Sequence, residues 1–391
     1  MLRSKLLREI YQQPNLARAD LTRITGASSA SVTQIIRELL EEGVVIEQGR
    51  EQEGLGRPRV MLSIDPAFRH VVGLRLISKQ LSGSVLDLRG NCLCTLHRNL
   101  PSFEVSQVLQ ELQALTEDLL NMAGLQSNQV LGVGLALSGI VDVTKRSCVY
   151  SFLLGWKHVP IGELLEAQLG LPVVIENDVN SITIAQKLFG EAALLQYFAV
   201  LFIEEGIGAG FYHQDRLLTG QNNAAGEIGH FTVVRSGRSC ICGKKGCLQA
   251  YASRDALLQQ ARELGLDVET LQDLHQAALN QDPEALRLLT FAGQLVGLAL
   301  SFVIDTLDVP LVLVYAGPLS EDLTFQTALL EAVRYHSLPL VDSERKVVFK
   351  PAQQDLWLSG AGSLAINAYL NGDITLPPLL SPSFSHDRPP R

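Results

Sequence analysis

Cysteine, aromatic side chains and charge are all sparse in this chain of 391 residues. It has six Cys, three Met and two Trp, aromatics at 6% and charged residues at 19%. Six Cys over this length exclude a disulfide-built scaffold. Low charge beside 47% hydrophobic residues excludes a disordered chain and fits a large buried core. There is no uninterrupted apolar run of about 18 residues. The longest candidate, residues 291–307, contains Gln294 and Asp305, repeats at helical spacing and reads as a buried helix, so no membrane insertion is expected. The opening residues, MLRSKLLREIYQQ, are amphipathic and lack the apolar core and cleavage site of a signal peptide. The expected location is the reducing cytoplasm, where clustered Cys point to metal or redox chemistry.

Excess positive charge is missing as well. The net charge is −9, which excludes general affinity for nucleic acid. Residues 1–64 nevertheless carry nine Lys/Arg against eight Asp/Glu, a balance of +1, which leaves −10 for the remainder. A near-neutral head on an acidic body is compatible with DNA binding by the head alone.

The head, residues 1–66, has the pattern of three helices and a hairpin. Leu2, Leu6, Leu7, Ile10 and Tyr11 recur at helical spacing, and Pro14-Asn15 breaks that helix. Ala19, Leu21 and Ile24 mark a second helix that Gly26 stops. Ser28 opens a third, with Val32, Ile35, Ile36, Leu39 and Leu40 as its apolar stripe. Strands are expected at 44–47 and 60–64, flanking a loop at 49–59. This is the pattern of a winged helix-turn-helix that binds double-stranded operator DNA. The third helix would present Ser28, Ser29, Ser31, Thr33, Gln34 and Arg37 to the major groove. The wing would place Arg57 and Arg59 on phosphates or in a minor groove. The plainer reading is a three-helix interaction module with a solvated hairpin.

From about residue 70 apolar strands alternate with helices. Strands are expected at 71–77, 82–88, 92–98, 130–137 and 172–176, and again at 197–203, 209–213, 311–315 and 346–350. Helices fall between them and close the chain at 359–369. Two similar cycles predict two α/β lobes, with a ligand cleft between them, over residues 70–371. The Pro-rich tail, 372–391, reads as extended.

Residues 229–250 read GHFTVVRSGRSCICGKKGCLQA. His230, Cys240, Cys242 and Cys247 form a Cys3His set suited to tetrahedral zinc, and Gly243 and Gly246 allow the chain to turn between the thiolates. Four protein ligands leave no open position, so one structural zinc per chain is expected. The alternative is a loop of free thiols. Cys92, Cys94 and Cys148 lie in strand-like or loop surroundings and read as ordinary core or surface residues.

The pattern from Gly226-Glu227-Ile228-Gly229-His230 through Cys240-Ile241-Cys242-Gly243-Lys244-Lys245-Gly246-Cys247-Leu248 resembles the signature of the ROK family. That family groups bacterial repressors with sugar kinases on a two-lobed, actin-like (ribonuclease H-like) fold. The head and body together resemble its repressor branch, over about residues 1–370. The resemblance implies a sugar or sugar-phosphate effector near Ser138, Gly139, Asn177, Asp178, Glu227, His230 and Gln249. Gln249 stands where the family usually carries Glu, and Gln offers hydrogen bonds without charge. Asn177-Asp178 matches the sugar-binding and catalytic pair of the kinases, where Asp accepts a hydroxyl proton; a plain helix cap has the same spelling. Ser138-Gly139 falls where the kinases carry Pro-Gly after a strand.

The kinases also carry Asp-x-Gly-Gly-Thr on the first strand of the body. Here Arg75 stands at the Asp position, and Ile77 and Ser78 at the two Gly. Side chains obstruct the close backbone approach that a phosphate requires, and Arg cannot hold Mg²⁺. The Gly-rich turn at Glu205-Gly206-Ile207-Gly208-Ala209-Gly210 has packing reasons of its own. The expected function is a sugar-responsive transcriptional repressor, a homodimer or homotetramer, with a kinase-like body that is no enzyme. The alternatives are an active sugar kinase with an appended head and a repressor controlled by a protein partner.

Overall fold

In the computed structural model of the protein the described residues are 2–51, 59–77, 79–214, 216–339, 346–351 and 354–374. Three α-helices open the chain, Leu2–Gln12, Arg18–Thr25 and Ser29–Glu41. Leu6, Leu7, Ile10, Tyr11, Leu21, Val32, Ile36 and Leu39 are buried, as the helical spacing predicts. Gly26, at φ +69°, ends the second helix, and the Ser28 hydroxyl accepts from the Ser31 amide at 3.1 Å to start the third. Strands Val45–Glu51 and Arg59–Ile64 form the hairpin, and the short strand Leu16–Ala17 pairs on its far side. The first hairpin strand runs past its expected end at residue 47. Gly49, at φ +69°, accommodates a bulge between Glu47 and Arg50, and pairing then resumes. Arg59 therefore lies on a strand and not in the loop. Arg57 lies outside the described residues.

The body is one strand plan used twice. In the first lobe, His70–Ile77, Gln80–Leu86 and Cys92–Asn99 form an antiparallel meander. Val130–Leu137 runs parallel to the first of these, and Val173–Asn177 parallel to it in turn. In the second lobe Tyr197–Ile203, Ile207–His213 and Arg216–Leu217 form the meander. Val312–Tyr315 and Val347–Lys350 add the parallel strands on the same side. A small three-stranded sheet of Ile140–Val141, Cys148–Ser151 and Trp156–Val159 projects from the first lobe. This sheet and the helices Gln249–Ala252, Arg254–Glu263 and Leu271–Leu279 are additions to the pattern read from sequence. The apolar segment at 291–307 is the end of helix Pro283–Leu307. Gly293 and Gly297 there press against the backbone of helix Leu323–His336 in the core of the second lobe.

Helix Gln354–Asn371 ties the parts together. Gly73 and Gly134 are paired on neighbouring strands and leave a flat, bare strip on the first sheet. A Cβ on Gly134 would stand 1.9 Å from the Ala361 carbonyl oxygen, and one on Gly73 2.6 Å from the Gly362 nitrogen. Only glycine lets the helix lie this close. The same helix packs on Asp178–Leu188, where the Ser363 hydroxyl donates to the Ser181 carbonyl at 3.3 Å. Its far end meets the head: Ala365, Tyr369 and Leu370 share one apolar cluster with Leu6, Leu7, Ile10 and Tyr11. The Tyr11 hydroxyl donates to the Leu88 carbonyl at 2.6 Å, and Arg89 donates to the Tyr11 carbonyl at 2.6 Å.

Gly134→Ala is expected to cost about 1–3 kcal/mol, since the added methyl must push the helix off the sheet. Urea denaturation measures it. A midpoint equal to that of the wild type would show that the close approach carries no stability.

Candidate DNA-binding face, ligand cleft and metal centre

All six groove-facing candidates on the third helix, Ser28, Ser29, Ser31, Thr33, Gln34 and Arg37, are exposed. Several are already engaged. Ser28 caps the helix, Gln34 donates to Glu38 at 2.7 Å, and Arg37 bonds to Gln34. These exposed bonds are weak and exchange readily for bonds to DNA. Arg59 differs from its expectation as a freely exposed guanidinium. It pairs with Asp20, which also accepts from the Ala17 amide at 3.0 Å. Ala17 offers no capping side chain, so Asp20 satisfies the helix start, and Arg59 pins the hairpin to that helix.

Strand Val173–Asn177 runs straight into helix Asp178–Leu188, which puts Asn177 at the N-cap. Its side-chain oxygen accepts from the Val179 and Asn180 amides at 2.9 and 3.3 Å, and its amide nitrogen donates to the Gly139 carbonyl at 3.1 Å. Asn177 thus meets the helix-cap reading of this pair. The bond to Gly139 also fixes the turn that carries Ser138. Gly139 is required there, at φ +139°, because a Cβ would stand 2.5 Å from the Tyr150 carbonyl. Beneath Asn177, buried Glu176 accepts from the Asn177 amide at 2.8 Å and pairs with Lys145. Lys145 also donates to Asn223 at 2.9 Å, which bridges to the second lobe.

Asp178 faces the cleft. Burial pushes its carboxyl up to about 6, partly offset by the nearby guanidinium of Arg75. Glu227, from the opposite lobe, is also raised by burial and by the charge of Asp178. The two acids thus sense each other across the cleft. Arg75 stacks on the Trp357 ring at 3.7 Å, and its buried Nε has no hydrogen-bond partner. Its surroundings are acidic, with Asp178, Glu204 and Glu205 all acting on it. Ser78 lies outside the described residues.

Glu227 sits 3.8 Å from His230 Nε2, while His230 Nδ1 faces Cys240 Sγ at 3.6 Å. The two ring nitrogens therefore serve different neighbours, one the cleft and one the sulfur cluster. The ligand atoms of His230, Cys240, Cys242 and Cys247 all lie within 4.8 Å of one another. Burial and the adjacent thiols of Cys242 and Cys240 push Cys247 up to about 12. Cys242 is instead held low, its burial outweighed by the Lys244 amide and the neighbouring thiols, and crowded thiols of this kind suit a soft divalent cation. Gly246, at φ +77°, permits the turn: a Cβ there would stand 1.8 Å from the Val234 carbonyl. Gln249 opens the helix that follows Cys247, with its side-chain oxygen beside Gly206.

Sequence reasoning missed an aromatic pair. Tyr150 and Phe152 meet edge-on at 4.6 Å between ring centres, and Phe152 lies 6.4 Å from the His230 ring. Phe152 comes from the first lobe and reaches a residue of the second. Its local sequence, SFLLGW, reads only as a turn. Trp357 was missed for the same reason, since nothing near it in the chain marks it as the partner of Arg75.

Residues 71–366 match the ROK family, and residues 2–46 match a winged helix-turn-helix DNA-binding family. The xylose repressor of Bacillus subtilis (strain 168) is 28% identical over 305 residues, 78% of this chain and 78% of its own length. The DNA-binding transcriptional repressor Mlc of Escherichia coli (strain K12) is 28% identical over 384 residues, 94% of this chain and 93% of its own. The crystal structure of a ROK family transcriptional regulator, a homologue of the Escherichia coli Mlc protein, superposes with a TM-score of 0.84. It covers 94% of this chain and 96% of its own at 24% identity. A ROK hexokinase from Thermus thermophilus superposes with a TM-score of 0.67 at 27% identity, over 78% of this chain and 99% of its own. Mlc and the regulator structure each cover 94% of this chain, and the hexokinase and the xylose repressor each cover 78%. With the match spanning most of the body, the chain belongs to the ROK family.

Proposed function

We propose that this protein is a DNA-binding repressor of sugar-utilisation genes, released or recruited by a sugar bound between its lobes. The observation that carries this reading is Arg75. It places a buried guanidinium beside Asp178, on the strand position where a kinase needs an acid for Mg²⁺. Ile77 adds a side chain where bare backbone is needed. The sugar half of the cleft keeps its polar groups: Asn177 and Asp178 on one lobe, Glu227, His230 and Gln249 on the other, with Ser138-Gly139 at the edge. A hydroxylated ring bridging these groups favours one spacing of the lobes. The head packs on the helix that spans both, so its placement changes with that spacing. Two copies joined through their bodies would present two heads to half-sites on one face of DNA.

The effector is sought among neutral monosaccharides, amino sugars and their phosphates by the shift each causes in operator affinity. An ionised Asp178 is a pure acceptor, so affinity for that effector is expected to weaken as pH falls through about 6. Asp178→Asn should bind more weakly and lose the pH dependence in that window. Calorimetry from pH 5 to pH 8 reads both, as order-of-magnitude conditions around the group's titration. Steady conversion of the sugar to its phosphate by Mg-ATP would replace the repressor reading with the kinase.

In the metal centre, His230 Nδ1 and the three thiolates would hold one zinc per chain and supply a closed, structural site. Bound there, the metal would hold His230 so that Nε2 faces Glu227 and the cleft. Cys242→Ser is expected to lose the zinc, lower the melting temperature and weaken effector binding together. Zinc loss measured by mass spectrometry, with melting and effector affinity both unchanged, would remove the metal from this account.

On the DNA face, Arg37→Ala and Arg57→Ala should leave the fold intact, since Arg37 is exposed on the third helix. Each is expected to reduce the salt slope of operator binding by about one unit if it neutralises one phosphate. Arg59→Ala is expected also to lower the stability of the head, because it removes the partner of Asp20. A double Arg37/Arg57 variant with the wild-type slope and affinity would rule out both contacts.

A further inference from the structure

A cavity of about 610 Å³ is lined by residues other than Asp178, Glu227 and His230. Three parts of the molecule converge on it. The first head helix contributes Lys5 and Arg8, the first lobe Lys145, the second lobe Arg216, and the C-terminal helix Asn367 and Asn371. Its described lining holds four basic side chains against two acidic ones, Glu176 and Asp373. Lys145 answers Glu176 directly. The rest of the lining is therefore left positive, in a chain whose net charge is −9. A basic pocket in an acidic protein is a local field that selects an anion. Lys5 and Arg216 are both exposed at its rim, and neither has an ion-pair partner among the described residues. Arg8 donates to the Asn371 side chain, which turns its guanidinium along the cavity wall.

We infer that this junction is a binding site for a small phosphorylated metabolite. The guanidinium groups of Arg8 and Arg216 and the ammonium of Lys5 match the several oxygens of a phosphate, Lys145 being engaged with Glu176, and Asn367 and Ser4 add neutral polar groups to the wall. The volume exceeds what inorganic phosphate alone fills and suits a phosphate with an organic body or a second phosphoryl group. Such a ligand touches the head, both lobes and the connecting helix at once. It therefore couples to head placement independently of anything bound at Asp178. The Lys145–Glu176 pair connects the two sites, because Glu176 also accepts from the amide of Asn177.

Pyrophosphate is the probe, titrated by calorimetry into the full-length protein at constant ionic strength, with citrate as the carboxylate counterpart. Saturable binding at millimolar concentration or tighter is expected for pyrophosphate. Each lost charge-assisted contact should weaken it about tenfold, so a Lys5→Gln/Arg216→Gln double variant should bind about a hundredfold more weakly. The rim position of both residues predicts unchanged melting without the anion; should the double variant fail to fold, each single variant serves. Operator affinity should shift with pyrophosphate in the wild type and not in the variant. Glu227→Gln, in the sugar cleft, should leave pyrophosphate binding in place, which separates this site from the proposed sugar site. Equal pyrophosphate affinity in wild type and variant, no saturable binding at all, or loss of binding in Glu227→Gln would overturn the proposal. Tight citrate binding without pyrophosphate binding would overturn its phosphate class.

Discussion

The contact on which the rest of the molecule depends is that of the C-terminal helix with two glycines, Gly73 and Gly134. Their missing side chains bring the helix backbone almost onto the first sheet. From that seat the helix reaches Trp357 toward Arg75, Ser363 toward the helix that begins at Asp178, and Tyr369 toward the head. One rigid element thus touches Arg75, the helix start at Asp178 and the winged helix-turn-helix head. Close packing makes such a contact two-valued: it is either seated or displaced, with little between.

The cleft's electrostatics follow from burial. Asp178 and Glu227 face the same low-dielectric space, and each is harder to ionise for it. Arg75 stabilises the ionised form of Asp178 without contributing the geometry that a metal ion imposes. Its guanidinium carbon lies over the indole of Trp357, a cation–π contact, and its buried Nε has no hydrogen-bond partner.

The sulfur cluster and the cleft share one residue. The two nitrogens of His230 point to Cys240 and to Glu227, so anything that orders the thiols also orders a group facing the ligand space. Gly243 and Gly246 make this possible at the level of the backbone, both at positive φ in the turn that brings Cys247 onto Cys242.

Much of this was legible in the linear chain, and for a definite reason. Helical spacing in the head, the doubled strand–helix cycle of the body, the Cys3His run and the substitution at Arg75 are all local patterns. Periodicity and ligand spacing act over a few residues, so they survive without tertiary information. Helix ends were less legible. The last helix begins at Gln354, before its expected start at 359, and Trp357 in this added turn packs on Phe202 and Arg75, which the local sequence does not encode. What only the tertiary structure decided were the long-range meetings: Trp357 with Arg75, Phe152 with His230, Asn223 with Lys145, Arg59 with Asp20, and four basic residues from separate parts of the chain around one cavity. Arg59 shows why. In the sequence it is one of two similar arginines beside a proline, and its role turns on a bulge at Gly49 that carries the strand pairing out to it. The partner of a side chain is set by where distant backbone arrives, and that is a property of packing.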